Sequence, residues 1–177
     1  MFSGDIISDC AIMYSLLEEI PLVSGTNRRK LCPQGASVLY GHSWKGYLKY
    51  DKDGNKVYRT KHPTLKGMYL TQLKAHHPYL EGYFQEFRDL HFPGFHFTQV
   101  MINKNFPVKK HKDSKNVGLS TLITFGDYQG GKTRVYTEED KIIDYDSNCN
   151  PVQFNGSIYE HEVLPYTGER YALVFFK

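Results

Sequence analysis

Apolar residues recur at helical spacing in the first part of the chain. Within residues 5–20 they fall at positions i, i+3, i+4 and i+7: Met13, Leu16, Leu17 and Ile20. This spacing predicts an amphipathic helix, which Pro21 should end. Residues 64–89 are also predicted to be helical, with Pro78 breaking or kinking the stretch. The apolar residues on or near one face of that stretch are Leu73, Leu80, Phe84 and Phe87.

Short segments with strand character occupy the rest of the chain. Residues 36–60 contain a turn signal, Asp53-Gly54-Asn55, which predicts a hairpin. After Pro93-Gly94, strands are predicted at 95–103, 117–125, 132–137, 156–163 and 169–176. Glycine-rich turns separate several of these segments, at Gly126 and at Gly130-Gly131. Helices followed by many short strands predict an α+β fold on a β-sandwich or jelly-roll core, with the N-terminal helices packed on the sheet.

Length and composition favour one domain in a reducing environment. The chain has 177 residues, of which 40% are hydrophobic, and its net charge of +3 is only mildly basic. Cys10, Cys32 and Cys149 are too few and too scattered for a disulfide scaffold or a zinc site. No segment resembles a signal peptide, and no apolar run approaches the ~20 residues that span a bilayer. We therefore expect an intracellular protein without a membrane partner.

His111 and Asp113 form a His-x-Asp pair that suits metal binding. Side chains two residues apart in an extended segment point to the same side, so an imidazole and a carboxylate can converge on one ion. His161, on a later predicted strand, supplies a second imidazole. Two histidines and a carboxylate form the facial triad of non-haem Fe(II) oxygenases. The alternative is a solvated charged loop over residues 109–113.

Arg170 follows His161 by nine positions and lies on the last predicted strand. Alternation along that strand places Arg170 on one face with three apolar residues: Ala172, Val174 and Phe176. An arginine on such a face is costly to bury without an anion, and a carboxylate satisfies the guanidinium in a bidentate manner. The alternative is a structural salt bridge to Glu160 or Glu162.

Residues 95–177 resemble the catalytic core of Fe(II)/2-oxoglutarate-dependent dioxygenases. The shared order is His-x-Asp, a glycine-rich turn, a distal histidine, and an arginine on the last core strand. The resemblance implies a double-stranded β-helix (jelly-roll) fold. It also implies Fe(II) held by His111, Asp113 and His161, with Arg170 binding the far carboxylate of 2-oxoglutarate. Dioxygen would be consumed, succinate released and a substrate C–H bond hydroxylated.

Residues 111–120 and 126–131 resemble, within that superfamily, the TET and J-binding-protein branch, whose members oxidise the methyl group of a pyrimidine base. A basic patch next to the predicted iron ligands fits phosphate contacts: Lys109, Lys110, Lys112 and Lys115. Arg28, Arg29 and Lys30 form a second basic cluster, and Trp44 in a loop-like stretch could stack on a flipped base. The chain lacks the cysteine-rich zinc-binding region of animal TET proteins.

The sequence leaves several substrate classes open. Nucleic acid, a protein side chain such as proline or lysine, and a small molecule all suit the predicted chemistry, and a degenerate binding module is the non-enzymatic alternative. We expect a single dioxygenase domain over residues 1–177. In this prediction residues 1–94 form a supporting and substrate-side region, and residues 95–177 form the catalytic core.

Overall fold

The computed structural model describes residues 1–44, 47–138 and 141–177, and for residues 47–50 it describes the backbone alone. Residues 45 and 46, within the predicted strand region 36–60, lie outside this description. The helices are α1 (Ile6–Glu18), α2 (Thr26–Leu31), α3 (Gln72–His76) and α4 (Leu80–His91). The first strands are β1 (Ala36–Tyr40), β2 (His42–Ser43), β3 (Tyr47–Tyr50), β4 (Lys56–Tyr58), β5 (Tyr69–Leu70), β6 (Gln99–Lys104) and β7 (Ser120–Phe125). The remaining strands are β8 (Tyr128–Gly130), β9 (Thr133–Tyr136), β10 (Ile142–Tyr145), β11 (Val152–Phe154), β12 (Glu160–Val163), β13 (Tyr166–Gly168) and β14 (Tyr171–Phe176).

A five-stranded antiparallel sheet forms the centre of the fold, in the order β1-β6-β14-β7-β11. A second antiparallel sheet has three strands in the order β10-β9-β12, and β8 pairs with β13 in a two-stranded sheet. Strand β1 comes from the N-terminal part of the chain and pairs with β6 along all five of its residues. The structure is therefore a mixture of helices and antiparallel sheets, and the N-terminal region supplies one edge of the main sheet.

The helices pack on one face of the five-stranded sheet. Met13 and Leu17 of α1 and Phe84 of α4 are buried in the same core as sheet residues Ile123 and Phe175. The α1 helix begins at Asp5, whose carboxylate accepts a hydrogen bond from the Ser8 N–H at 2.9 Å. The helix over residues 5–20 and its inward face are thus as the sequence predicts.

The opposite face of the main sheet packs against the three-stranded sheet. Val135 of β9 is buried with Leu122 of β7, Ala172 of β14 and Phe154 of β11. This second core is small and leaves a cavity between the two sheets. Closure of these strands into a complete double-stranded β-helix stays a prediction.

The predicted helix over residues 64–89 is wrong in its first part. Residues 72–76 and 80–91 are helical, but residues 69–70 form strand β5, which pairs with β2. Gly67 has a φ of +76°, which a helix does not accommodate, and the Leu70 N–H donates to the Thr60 carbonyl. The predicted break at Pro78 is confirmed, since it lies between α3 and α4.

The predicted hairpin around residues 53–55 is confirmed by the pairing of β3 with β4. The five predicted strands after residue 94 correspond to β6, β7, β9, β12 and β14. Strands β8, β10, β11 and β13 were not predicted. Among the described residues, no helix combines the length and the apolar character needed to cross a bilayer.

Candidate active site

Three side chains from two separate parts of the chain converge beside the cavity. The ligand atoms of His111, Asp113 and His161 all lie within 4.8 Å of one another. His111 Nε2 is 3.2 Å from Asp113 Oδ1, and His161 Nε2 is 3.6 Å from Asp113 Oδ2. The three residues whose convergence the sequence predicts are therefore brought together.

The second nitrogen of each histidine ring is held by the backbone. His111 Nδ1 lies 2.8 Å from the Lys109 carbonyl oxygen, and His161 Nδ1 lies 3.1 Å from the Tyr159 carbonyl oxygen. Each Nδ1–H therefore donates to a carbonyl, which directs Nε2 towards the other ring and towards Asp113. Such backbone hydrogen bonds fix the tautomer and the orientation of metal-binding histidines in other proteins.

Hydrogen bonds to the side chain of Asp113 and from its backbone N–H fix the position of this residue. Asn116 Nδ2 donates to Asp113 Oδ2 at 3.1 Å, and the Asp113 N–H donates to the Gly156 carbonyl at 2.9 Å. A Cβ atom at Gly156 would lie 2.8 Å from Asp113 Oδ2 and 3.0 Å from His161 Cε1. Position 156 therefore has no room for a side chain while Asp113 and His161 keep their places.

The three ionisable groups shift one another's pKa. The hydrogen bond to Asp113 raises the pKa of His111, whereas burial lowers the pKa of His161. Burial alone would raise the pKa of Asp113, but the hydrogen bond from His111 and the charges of the two histidines outweigh it and lower that pKa. An ionised carboxylate and a neutral His161 suit cation binding, and a cation would replace the contact between His111 Nε2 and Asp113.

A cavity of about 440 Å³ connects these three residues with Arg170. Its apolar wall comes from one face of β14 through Ala172, Val174 and Phe176, as alternation along this strand predicts. The other face of the strand, including Leu173 and Phe175, belongs to the helix-covered core. The cavity therefore has a polar cluster and an apolar wall, as small-molecule sites commonly do.

Arg170 is buried in this cavity with unsatisfied hydrogen-bond donors. The residue is 2% exposed, and no described residue accepts a hydrogen bond from its Nε or Nη2. The proposed salt-bridge partners are engaged elsewhere: Glu160 pairs with Lys110 at 3.3 Å, and Glu162 accepts from the Tyr136 hydroxyl. Buried N–H donors without an acceptor are costly, so an anion in the cavity would stabilise Arg170.

Thr133 and two tyrosines near Arg170 were not identified from the sequence. Thr133 Oγ1 is also buried without a partner among the described residues, and Thr133 lines the same cavity. The guanidinium carbon of Arg170 lies 5.6 Å from the Tyr128 ring centre and 5.4 Å from that of Tyr166. Alternation along the predicted strand 132–137 places Thr133 on the same face as Val135, and a hydroxyl on that apolar face was the available signal.

The structure separates the four lysines of the predicted basic patch. Lys109 lines the cavity. Lys110 lies over the Tyr136 ring at 3.7 Å and, with Lys112, borders a different cleft. Lys115 is exposed and lines neither. Trp44 is 75% exposed and is not part of the cavity wall. A substrate-binding role for these residues stays a prediction.

Similar folds occur in solved structures. The fold is similar to that of a Pseudomonas putida prolyl-4-hydroxylase, with a TM-score of 0.50, 14% identity, and coverage of 99% of this chain and 88% of the other. For a Burkholderia pseudomallei oxidoreductase of the 2OG-Fe(II) oxygenase family, the TM-score is 0.52, the identity 15%, and the coverages 94% and 76%. For NgTET1 in complex with 5mC DNA, the values are 0.53, 16%, 99% and 68%.

No protein-family model matches the sequence, and no curated protein matches it significantly. At these identities the structural similarity describes the fold alone. The chemistry available to this chain is set by the cavity and by the residues that line it.

Proposed function

We propose that this chain is an Fe(II)- and 2-oxoglutarate-dependent dioxygenase that hydroxylates a C–H bond. The observation that carries the proposal is the buried guanidinium of Arg170, whose Nε and Nη2 have no acceptor among the described residues, in the same cavity as His111, Asp113 and His161. One apolar cavity thus joins a cluster of possible metal ligands to a buried guanidinium that can bind an anion. This arrangement suits a cosubstrate that chelates a metal at one end and has a free carboxylate at the other.

The ligand set fits iron. Two neutral imidazoles and one carboxylate that leave one side of the ion open are the donors of non-haem Fe(II) oxygenases. When bound, the iron and 2-oxoglutarate supply the oxidation, in which dioxygen is consumed, 2-oxoglutarate is converted to succinate and carbon dioxide, and a substrate C–H becomes C–OH. The protein's own contribution is to hold, orient and shield the reactants.

The residues around Arg170 provide the carboxylate site. The guanidinium would donate two hydrogen bonds to the far carboxylate of 2-oxoglutarate, and the Thr133 hydroxyl would donate a third. Both residues have buried donors without a partner among the described residues. The apolar wall formed by Ala172, Val174 and Phe176 excludes water along the carbon chain between the two ends.

The first candidate substrate is the methyl group of a modified nucleobase in DNA or RNA. It is supported by the resemblance of residues 111–120 and 126–131 to TET and J-binding-protein oxygenases. It is also supported by the fold similarity to NgTET1, whose structure holds 5mC DNA. The exposed Lys109 at the cavity would serve phosphate contact.

The second candidate is a protein side chain or a small molecule. It is supported by the equally similar fold of the Pseudomonas putida prolyl-4-hydroxylase. It requires no basic surface, which agrees with the dispersal of the lysines. A degenerate binding module is the non-enzymatic alternative, although the chain retains all four polar residues that the oxygenase reaction requires.

Succinate formation tests the oxygenase proposal directly. Purified protein with Fe(II), ascorbate and 2-oxoglutarate should form succinate at a rate that rises with pools of methylated oligonucleotides, peptides or metabolites. Mass spectrometry of those pools would then identify a product heavier by one oxygen atom. Succinate formation no faster in the wild-type protein than in an Asp113→Ala variant would contradict the enzymatic function and favour the binding module.

A further inference from the structure

A second guanidinium faces the same cavity from helix α2. Arg28 lines the cavity together with His111, Asp113 and Arg170. Its Nη1 donates to the Ser37 hydroxyl of β1 and lies 3.3 Å from Met101 Sδ of β6. These contacts hold the head of a long side chain against the rim of the main sheet, on the side of the candidate metal centre.

The charge of Arg28 has no dedicated partner among the described residues. None of their carboxylates lies within 4.0 Å of its guanidinium. Burial lowers the pKa of Arg28, and the charge of Asp113, which lines the same cavity but is not within ion-pair distance, opposes this shift. Because a bound metal cation would compensate the Asp113 carboxylate, Arg28 would then face the cavity as an unbalanced positive charge.

Arg28 and Arg170 occupy different positions along the sheet. Arg28 contacts Ser37, which pairs with Asn103, and Asn103 pairs with Ala172. Ser37 therefore lies two strands away from β14, level with Ala172, which is two residues after Arg170 in the sequence. With the usual spacings these offsets are roughly 10 Å and 7 Å. An anion held by Arg170 thus leaves Arg28 available to a second group.

A structural role for Arg28 does not explain this placement. Cations near the C-terminus of a helix stabilise it through the helix dipole. Arg29 and Lys30 lie in the same last turn of α2 and supply that charge without lining the cavity. Of these three basic residues, only Arg28 lines the cavity. Its guanidinium has further N–H donors besides the Nη1 group that donates to Ser37.

We propose that Arg28 binds an anionic oxygen group of the substrate, a carboxylate or a phosphodiester, beside the C–H bond that is oxidised. This inference rests on the proposed function, because it assigns the Arg170 end of the cavity to 2-oxoglutarate. In this proposal, Arg28 is the residue that selects acidic substrates over neutral ones. A planar guanidinium binds either anion through two parallel hydrogen bonds.

The test measures anion binding rather than turnover. Protein loaded with Zn(II) and saturating 2-oxoglutarate is titrated with dimethyl phosphate and, separately, with sodium acetate, and arginine Nε–H signals are followed by NMR. The wild-type protein is compared with Arg28→Gln, Arg28→Lys and the matched control Arg29→Gln. Calorimetric titration of Zn(II) and of 2-oxoglutarate is carried out on each protein first.

We expect Arg28→Gln to weaken binding of at least one probe by about tenfold or more, as loss of a charge-assisted hydrogen bond does. Arg28→Lys should be intermediate, and Arg29→Gln should match the wild type. Tighter binding of dimethyl phosphate would identify a phosphodiester substrate, and tighter binding of acetate a carboxylate. No binding to the wild type, or equal binding by Arg28→Gln, would overturn the inference. Failure of Zn(II) or 2-oxoglutarate to bind the wild type would instead overturn the proposed function.

Discussion

His111 and His161 exchange two backbone hydrogen bonds. The His111 N–H donates to the His161 carbonyl at 3.0 Å, and the His161 N–H donates to the His111 carbonyl at 2.9 Å. The two rings consequently lie side by side, with their centres 4.3 Å apart. Because the backbone sets this arrangement, the two imidazoles are pre-positioned for the proposed metal, and either side chain can be removed without removing the pairing.

The first prediction concerns metal affinity. His161→Ala and His111→Ala should each weaken Zn(II) or Mn(II) binding by more than about 100-fold, since changes at residues that only support metal ligands already cost 10–100-fold. The fold should persist because the backbone pairing remains. Calorimetric titration and circular dichroism measure the two effects. His96→Ala, at an exposed histidine, is the control. Equal affinity in the His161→Ala and control proteins would place the metal elsewhere.

The second prediction concerns Gly156. In Gly156→Ala the new methyl group would lie 2.8 Å from Asp113 Oδ2 and must displace a ligand. Metal affinity should therefore fall roughly 10–100-fold, although no ligand has been changed. Gly82→Ala is the matched control, because a Cβ there meets nothing within 4 Å and the residue lies within α4. That variant should keep metal affinity and gain about 0.5–1 kcal/mol of stability.

The third prediction separates a ligand-binding role of Arg170 from a structural one. Arg170→Met removes a buried charge whose Nε and Nη2 have no acceptor among the described residues. The ligand-free protein should consequently keep or raise its Tm. Affinity of the Zn(II)-loaded protein for 2-oxoglutarate should fall about 10- to 150-fold, from the ~1.5–3 kcal/mol of charge-assisted hydrogen bonds. Arg134→Met, which loses a surface pair with Asp144, is the control. A marked fall in Tm with unchanged 2-oxoglutarate affinity would show a structural arginine.

The candidate site was largely predictable because its residues follow local rules. The two-residue spacing of His111 and Asp113 and the alternation from Arg170 to Phe176 each concern neighbours in the sequence. The same alternation marks Thr133, a hydroxyl on the face of Val135, whereas Gly156 could not be assigned in this way. The role of Gly156 depends on its distance to Asp113 and His161, which only the folded chain sets.

The elements that the sequence did not reveal are short or depend on distant partners. Strands β8 and β13 have three residues each and are defined by pairing with each other. Residues 69–70 read as helical because Leu73 and later apolar residues continue a helical period, whereas pairing with β2 makes them a strand. Tertiary pairing overrides local preference at such positions. Likewise, nothing local distinguishes Arg28, which lines the cavity, from Arg29.

The fourth prediction concerns acid stability and Asp9. This carboxylate is fully buried and accepts hydrogen bonds from Ser3, Gly4 and His91. Burial alone would raise the pKa of Asp9, but the hydrogen bonds from Ser3 and Gly4 outweigh it and lower that pKa. Its contribution to stability is therefore complete above the unfolded-state pKa, near 3.8, and is lost as the pH falls through the lower folded-state value.

Asp9→Asn should accordingly lower the unfolding free energy by about 1–3 kcal/mol at pH 7. The difference from wild type should shrink below about pH 4, where the Asp9 carboxylate of the unfolded wild-type chain begins to be protonated while that of the folded chain stays ionised. Urea unfolding at a series of pH values measures it. Asp53→Asn, at an exposed turn, should show neither effect. A difference that stays constant down to pH 2 would mean that the charge of Asp9 does not contribute.

The last prediction tests the nucleobase candidate through the two neighbouring lysines that the structure distinguishes. Lys109 lines the cavity, whereas Lys110 is held by Glu160 and the Tyr136 ring. If a methylated oligonucleotide is the substrate, its binding to Zn(II)-loaded protein should weaken steeply between about 50 and 200 mM salt. Lys109→Gln should reduce the log–log slope by about 0.7–0.9, the value for one phosphate contact. Lys110→Gln should change it less, because its ammonium already has partners. Fluorescence anisotropy of a labelled 5-methylcytosine oligonucleotide provides the slopes. Feeble binding that none of these variants alters would exclude the nucleobase substrate. The oxygenase proposal would still stand with a peptide or small-molecule substrate, because the proposed formation of succinate needs only iron, dioxygen and the 2-oxoglutarate that Arg170 would hold.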